Sequence, residues 1–234
     1  MKLCILDNDH IDTEAQPRWH SYGVMTERLM RAAGFEGEID IFVARDGLYP
    51  SDWGVYDAVL LTGSRSDAFG DDAWVQTLRG HVNQMLSNGQ RLVGICFGHQ
   101  LIAHCLGAPV GRSPNGWGVG RTCYDWLGSQ RLTDAAGPVA FLASHQDQVL
   151  ALPAGATLLA TNDHCPVAAY SVGEQVLCIQ PHPEFDSDYS TYLLDTRRER
   201  FGEELYQQAI TAMQPEHDGV AFARYVLDFL NPRT

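Results

Sequence analysis

Cys96 sits between glycines two positions away on either side, in Arg91-Leu92-Val93-Gly94-Ile95-Cys96-Phe97-Gly98-His99-Gln100. This is the grammar of a nucleophile elbow. Glycines at those offsets let an apolar strand turn sharply into a helix without side-chain clash, so the residue between them is held exposed at the strand's end. The helical pattern continues through Leu101, Ile102 and Leu106. A sulfur at that point lies near a helix N-terminus, whose partial positive charge favours thiolate over thiol. The competing reading is a buried cysteine in an ordinary strand-to-helix turn, because free cysteines usually behave as small hydrophobes. The other five cysteines, at positions 4, 105, 123, 165 and 178, have no such flanks, no CxxC pair and no metal-ligand spacing, so reduced thiols are expected.

A base for that thiol is offered by Val176-Leu177-Cys178-Ile179-Gln180-Pro181-His182-Pro183-Glu184-Phe185, an apolar run that ends in His-x-Glu between prolines. Prolines on both sides of His182 stiffen the backbone and remove ladder donors. An imidazole so fixed can be held against a thiol. The carboxylate of Glu184 can then bond the other ring nitrogen, set the tautomer and stabilise the imidazolium. Alone, a histidine near a strand end is more often satisfied at the surface or in the core. Paired with the elbow, it reads as a triad of Cys96, His182 and Glu184.

The two segments, Gly94-Ile95-Cys96-Phe97-Gly98-His99-Gln100 and Gln180-Pro181-His182-Pro183-Glu184, resemble in order and spacing the two signatures of class I glutamine amidotransferases. The resemblance extends over most of the chain. Ala143-Ser144-His145-Gln146-Asp147-Gln148-Val149 is similar to a stretch of the amidotransferase domain of GMP synthases and of its free-standing relatives. The resemblance implies Cys96 as nucleophile, His182 as general base and then acid, and Glu184 as the orienter of His182.

Attack on a carboxamide makes an oxyanion, which preorganised N–H donors must meet, each worth about 2.7–4 kcal/mol. Leu60-Leu61-Thr62-Gly63-Ser64-Arg65-Ser66 ends a strand where the family places its oxyanion loop, so the amide of Gly63 or Ser64 would join that of Phe97. Thr62-Gly63-Ser64 departs from the commoner Gly-Gly-Pro-x-Ser form, which leaves open which amide points inward. The resemblance further implies substrate contacts at Gln100, at Trp117 and Gly118 in the loop Asn115-Gly116-Trp117-Gly118-Val119-Gly120, and at His145 and Asp147. Alternatives stay open at each: a cap or solvent-facing role for Gln100, a cover for the sheet at Trp117, and partner contact or loop structure for His145 and Asp147. His145, Asp147, His182 and Glu184 could together suggest a metal site, but the prolines and the nearby nucleophile fit a triad better. No metal and no cofactor is expected.

These residues need a scaffold that brings strand ends together. Apolar segments at 2–6, 39–43, 58–62 and 91–95 read as strands, several apolar throughout, which suits a parallel sheet covered on both faces. Between them Tyr22, Met25, Leu29 and Ala32 recur at helical spacing, as do Trp74, Leu78, Val82 and Met85, each set followed by a glycine-bearing turn at Gly34 or Gly89. This predicts an α/β fold, a flavodoxin-like doubly wound and mostly parallel sheet with ligands at the carboxyl ends of its strands. Shorter strands at 119–124, 139–143, 157–160, 167–170 and 176–180 predict a small antiparallel extension. From about residue 187 the chain is expected to be helical, with 196–213 polar and a closing apolar stripe of Val220, Tyr225, Val226 and Phe229. One domain over residues 1–234 is expected.

The composition narrows the partners. A net charge of −13, from 16 Lys and Arg against 29 acids, opposes a phosphate backbone, so nucleic acid is not an expected partner. The start, Met1-Lys2-Leu3-Cys4-Ile5-Leu6-Asp7, does not read as a signal peptide, and no run approaches the roughly 20 apolar residues that span a bilayer. A soluble, cytosolic protein without membrane contact is expected. The leading reading is a hydrolase that takes the γ-carboxamide of glutamine through a cysteine thioester to glutamate and ammonia. No ATP-pyrophosphatase motif and no Gly-x-x-x-x-Gly-Lys loop is present, so a synthase using the ammonia would be a separate polypeptide. The alternative is a free-standing γ-glutamyl peptidase or hydrolase on the same triad. A third reading is a catalytically idle sensor or scaffold, against which the intact triad argues.

Overall fold

Strands that are apolar at successive positions need cover on both faces, and the chain supplies it by sending its helices alternately to either side of one sheet. The computed structural model describes residues 1–135, 137–214 and 216–231. It runs β1 (Lys2–Asp7), α1 (Gln16–Trp19), α2 (Tyr22–Ala32), β2 (Glu38–Val43), β3 (Ala58–Leu61), α3 (Ala73–Ser87), β4 (Arg91–Ile95) and α4 (Phe97–Cys105). Then follow β5 (Val110–Arg112), β6 (Gly118–Trp126), β7 (Val139–His145), β8 (Asp147–Val149), β9 (Thr157–Thr161), β10 (Ala169–Val172) and β11 (Val176–Ile179). The chain closes with α5 (Ser187–Thr196), α6 (Arg198–Phe201), α7 (Glu203–Ala212) and α8 (Gly219–Leu230).

Nine strands form one sheet in the order β2-β1-β3-β4-β11-β10-β9-β6-β7. The first five are parallel, and β10, β9, β6 and β7 continue the sheet antiparallel. Alternate side chains of each central strand go to opposite cores. Leu3 and Ile5 of β1, Leu60 of β3 and Val93 of β4 pack with Met30 of α2 and with Phe222 and Val226 of α8. Cys4, Leu6, Val59, Leu61 and Leu92 pack with Val75, Leu78 and Val82 of α3 and with Leu101 and Ile102 of α4. The predicted doubly wound α/β arrangement, its antiparallel extension and its C-terminal helices are all found.

Three local details differ from the sequence reading. Strand β10 begins two residues later than expected, at Ala169, although the Gln180 N–H to Ala168 carbonyl bond of 2.7 Å carries its pairing with β11 one position further back. A two-stranded antiparallel pair, β5 with β8, was not foreseen. In α8 the fully buried face is Phe222, Ala223, Val226 and Leu230, rotated from the predicted stripe, with Val220, Tyr225 and Phe229 only half-buried. Among the described residues no helix is long and apolar enough to cross a membrane.

Strand order turns around between β1 and β3, and open α/β sheets leave a crevice outside the carboxyl ends at such a switch. The segments leaving the carboxyl ends of β1, β3, β4 and β11 are Asp7 to Asp9, Thr62 to Ser66, Cys96 and Gln180 to Glu184.

Candidate active site

Cys96 occupies the turn between β4 and α4 with φ 51° and ψ −102°, one of two non-glycine residues with positive φ among those described. Such a backbone costs of order 1–3 kcal/mol and persists only where its surroundings enforce it. Here the enforcement is visible. The Cys96 N–H donates to Ile179 O of β11 (2.9 Å), and its carbonyl accepts from Gln100 N–H (3.0 Å). The flanking glycines allow the close approach: a Cβ on Gly94 would stand 2.7 Å from the Gly98 backbone, and one on Gly98 would stand 2.4 Å from Leu61 O. Phe97 opens α4, and its ring stacks on Trp74 with centroids 5.4 Å apart, so only its backbone is left for the site.

His182 follows β11 and is tied to β7 by donation of its N–H to Leu142 O (2.7 Å). Its ring stacks on Phe185 at 3.9 Å and 7°. On the other side it meets Gly63, where a Cβ would come within 2.7 Å of His182 Cε1 and 3.7 Å of Cys96 Cβ. Nδ1 of His182 and Oε1 of Glu184 are 2.8 Å apart, and the Glu184 side chain is fully buried. Burial by itself pulls the imidazole down, but the carboxylate of Glu184 and the sulfur of Cys96 outweigh it and raise His182 to about 10. A proton held between that carboxylate and that sulfur is what an imidazolium poised beside a nucleophilic thiol requires.

The loop after β3 is braced from below by the turn after β1. Asn8 N–H donates to Thr62 Oγ1 and Asn8 Nδ2 to Thr62 O, both at 2.9 Å. Asp9 accepts from Arg65 N–H at 2.8 Å. Neither Gly63 nor Ser64 gives its N–H to an acceptor among the described residues, and Phe97, first in its helix, has no acceptor four residues back within it. These are the three amides named as oxyanion donors. They lie on the two loops that meet at Cys96 and His182.

Cys96 and His182 open into a cavity of about 490 Å³, within the range of sites for small organic ligands. Of the residues named from sequence, Ser64, Gln100, Trp117, His145 and Asp147 line it. Gly118 does not: it lies under two imidazoles, and a Cβ there would stand 2.9 Å from His145 Nε2 and 3.0 Å from His164 Nε2. Gln100 is partly engaged, its Nε2 donating to Asp147 O (2.8 Å) and Gln180 Oε1 (3.1 Å), while its Oε1 takes no bond among the described residues. Burial, with His164 and His182 beside it, pulls His145 to about 3, which keeps its ring neutral. Asp147 is raised to about 6, by burial first and then by the facing carboxyl of Asp67, against the pull of Arg112. Among the described residues no cluster of histidine, cysteine and carboxylate side chains fits a metal ion.

Sequence reasoning missed the polar groups that arrive from separate loops and helices: Asn8, Asp9, Asp67, Arg112, Ser144, Arg197 and Arg200. None sits in a local motif: Ser144 is a plain neighbour of His145, and Arg197 and Arg200 lie in a polar helical stretch where nothing marks them out.

A family model described as glutamine amidotransferase class-I matches residues 55–195. The chain is 35% identical over 185 residues to gamma-glutamyl peptidase 3 of Arabidopsis thaliana, covering 75% of this chain and 74% of that one. It is 33% identical over 131 residues to the glutamine-hydrolyzing GMP synthase of Clostridium novyi, covering 55% of this chain and 24% of the synthase. The fold superposes on a glutamine amidotransferase of Thermotoga maritima with a TM-score of 0.78 at 17% identity, covering 98% of both chains.

Proposed function

Because the chain belongs to the class I glutamine amidotransferase family of cysteine-dependent hydrolases and amidotransferases, we propose that it hydrolyses γ-glutamyl amide bonds in γ-glutamyl peptides, using Cys96, His182 and Glu184. The observation that carries this is the meeting in one cavity of Cys96, in its positive-φ turn, and His182, whose Nδ1 lies 2.8 Å from the buried Glu184 carboxylate. In the proposed cycle the Cys96 sulfur attacks the γ-carbonyl, and the oxyanion is met by the N–H groups of Phe97 and of Gly63 or Ser64. Collapse expels the amine, which takes its proton from His182. A water, deprotonated by His182, then cleaves the γ-glutamyl thioester, and glutamate leaves. At the other end of the substrate, Asp67 and Asp147 receive the α-ammonium and Arg112 the α-carboxylate.

Peptides rather than glutamine are favoured by the length of the match to the γ-glutamyl peptidase, three quarters of both chains, and by a cavity roomier than a bare carboxamide needs. The match to a GMP synthase favours the second reading, a glutaminase that hands ammonia to a separate synthase. Steady-state assays with glutamine and with γ-glutamyl dipeptides on wild type and Cys96→Ala decide between them. The proposal expects a γ-glutamyl thioester adduct trapped on Cys96, faster peptide turnover than glutamine turnover, and no turnover in the variant. Hydrolysis that survives Cys96→Ala sinks the mechanism, and glutamine turned over much faster than any peptide selects the second reading.

A further inference from the structure

Four arginines line the cavity that holds Cys96: Arg65, Arg112, Arg197 and Arg200. Two already face carboxylates. Arg65 pairs with Asp9 at 3.1 Å and Asp12 at 2.9 Å, and Arg112 Nε lies 3.3 Å from Asp147 Oδ1. Arg197 and Arg200 form no ion pair among the described residues. They lie one turn apart where α5 runs into α6, Arg200 N–H bonded to Arg197 O. Arg197 is aimed by donation of Nη1 to Ser144 Oγ at 3.0 Å. Beside them Trp117, packed edge-on against Phe201 of α6 at 5.1 Å, completes an aromatic stretch of the wall.

Two uncompensated guanidiniums on the wall of one cleft are a local exception in a chain of net charge −13. A guanidinium fork matches a carboxylate in shape and charge. Glutamine gives these groups nothing to hold, since its leaving group is ammonia. In the proposed cycle the charges of the γ-glutamyl head are assigned to other elements of the same cavity, to Asp67, Asp147 and Arg112. The leaving portion of a γ-glutamyl peptide, by contrast, ends in a free carboxylate. We infer that Arg197 and Arg200 bind the C-terminal carboxylate of the leaving amino acid or short peptide, and so select γ-glutamyl peptides over glutamine and over uncharged γ-glutamyl amides. The inference rests on Cys96 being the nucleophile of a γ-glutamyl hydrolase.

The test compares γ-glutamyl-alanine with its C-terminal amide, two substrates that differ only in that carboxylate, on wild type, Arg200→Gln and the double variant Arg197→Gln/Arg200→Gln. Wild type is expected to favour the acid by about tenfold in kcat/KM, a ratio that falls in Arg200→Gln and approaches one in the double variant. Salt at 0.5 M should lower the wild-type ratio, since the Debye length then drops to a few ångströms. Arg200 is exposed and its side chain makes no hydrogen bond among the described residues, so Arg200→Gln reads out even where the double variant melts early. Equal kcat/KM for acid and amide in wild type, or a ratio unchanged in the double variant, overturns the inference and leaves the hydrolase standing. Absence of turnover on both substrates and on glutamine removes the hydrolase reading and this inference with it.

Discussion

Replacing Glu184 by glutamine keeps the shape of the side chain and an acceptor for His182 Nδ1, but removes the buried charge 2.8 Å from the ring. His182 stands at about 10 against an ordinary 6.5, which corresponds to at most about 5 kcal/mol in favour of the imidazolium. Glu184 is the larger of the two charges that raise it, so the variant should forfeit most of that preference. Two observables follow. Catalysis that needs the imidazolium should fall up to about 10⁴-fold in kcat/KM near neutral pH, the scale on which neutralising a histidine's orienting carboxylate acts elsewhere. Its alkaline limb should move from near 10 toward neutrality, because burial then dominates. The stability effect has a definite sign. A group whose folded value is raised contributes stability that is fully present below its unfolded value, 6.5, and is lost as pH climbs through about 10. Thermal melting of Glu184→Gln should therefore be depressed most at pH 6, with the gap to wild type closing by pH 10. Paired pH–rate profiles and melting curves measure both. A variant whose alkaline limb stays at the wild-type position refutes the assignment of His182's charge to Glu184.

Three further changes probe the surroundings. Gly63→Ala places a methyl 2.7 Å from His182 Cε1, with Phe185 stacked on the ring's face; kcat should drop at least about tenfold while melting changes little, read by steady-state kinetics and calorimetry. Asn8→Ala strips the brace from the buried Thr62 carbonyl and should cost about 1–3 kcal/mol in denaturant unfolding, with kcat falling more than KM changes. KM for γ-glutamyl substrates should rise as pH falls through about 6, where Asp147 takes a proton and no longer holds an ammonium, and Asp147→Asn should flatten that dependence.

The parts of the fold legible in the sequence were those with a single-strand signature. Leu3 to Leu6 or Leu92 to Ile95 read as buried strands because both faces of the sheet are covered, so no polar residue interrupts them. The elbow was legible because its glycines answer to steric contacts with Leu61 and with one another, and His-Pro-Glu because the paired imidazole and carboxylate lie two residues apart. Strands β5 and β8, three residues each, are too short to show a period, and they exist only because each supplies the other's partner. The cavity wall was illegible for a different reason: Asp67, Arg112 and Arg197 come from three separate stretches, and convergence in space leaves no spacing in sequence. Gln100 and Gly118 have packing duties that their sequence motifs do not announce. Gln100 spends its donors on Asp147 and Gln180, and Gly118 makes room for two histidine rings.

Strand β11 has a parallel neighbour, β4, on one side and an antiparallel neighbour, β10, on the other, and its Ile179 carbonyl takes the N–H of Cys96. Sulfur and imidazole thus leave the carboxyl ends of two paired strands, although the whole antiparallel extension separates them along the chain. Their spacing is a property of register, so insertions or deletions in the β5–β6 and β8–β9 connections can recast the cavity walls while β4, β11 and the Leu142 anchor in β7 keep Cys96 and His182 together. A slip of β11 by one residue, about 3.3 Å, would do the opposite and send the histidine's neighbours to the wrong face. Chemistry and selectivity in this chain can therefore drift at different rates, the first held by one strand pairing and the second exposed to every change in the loops around it.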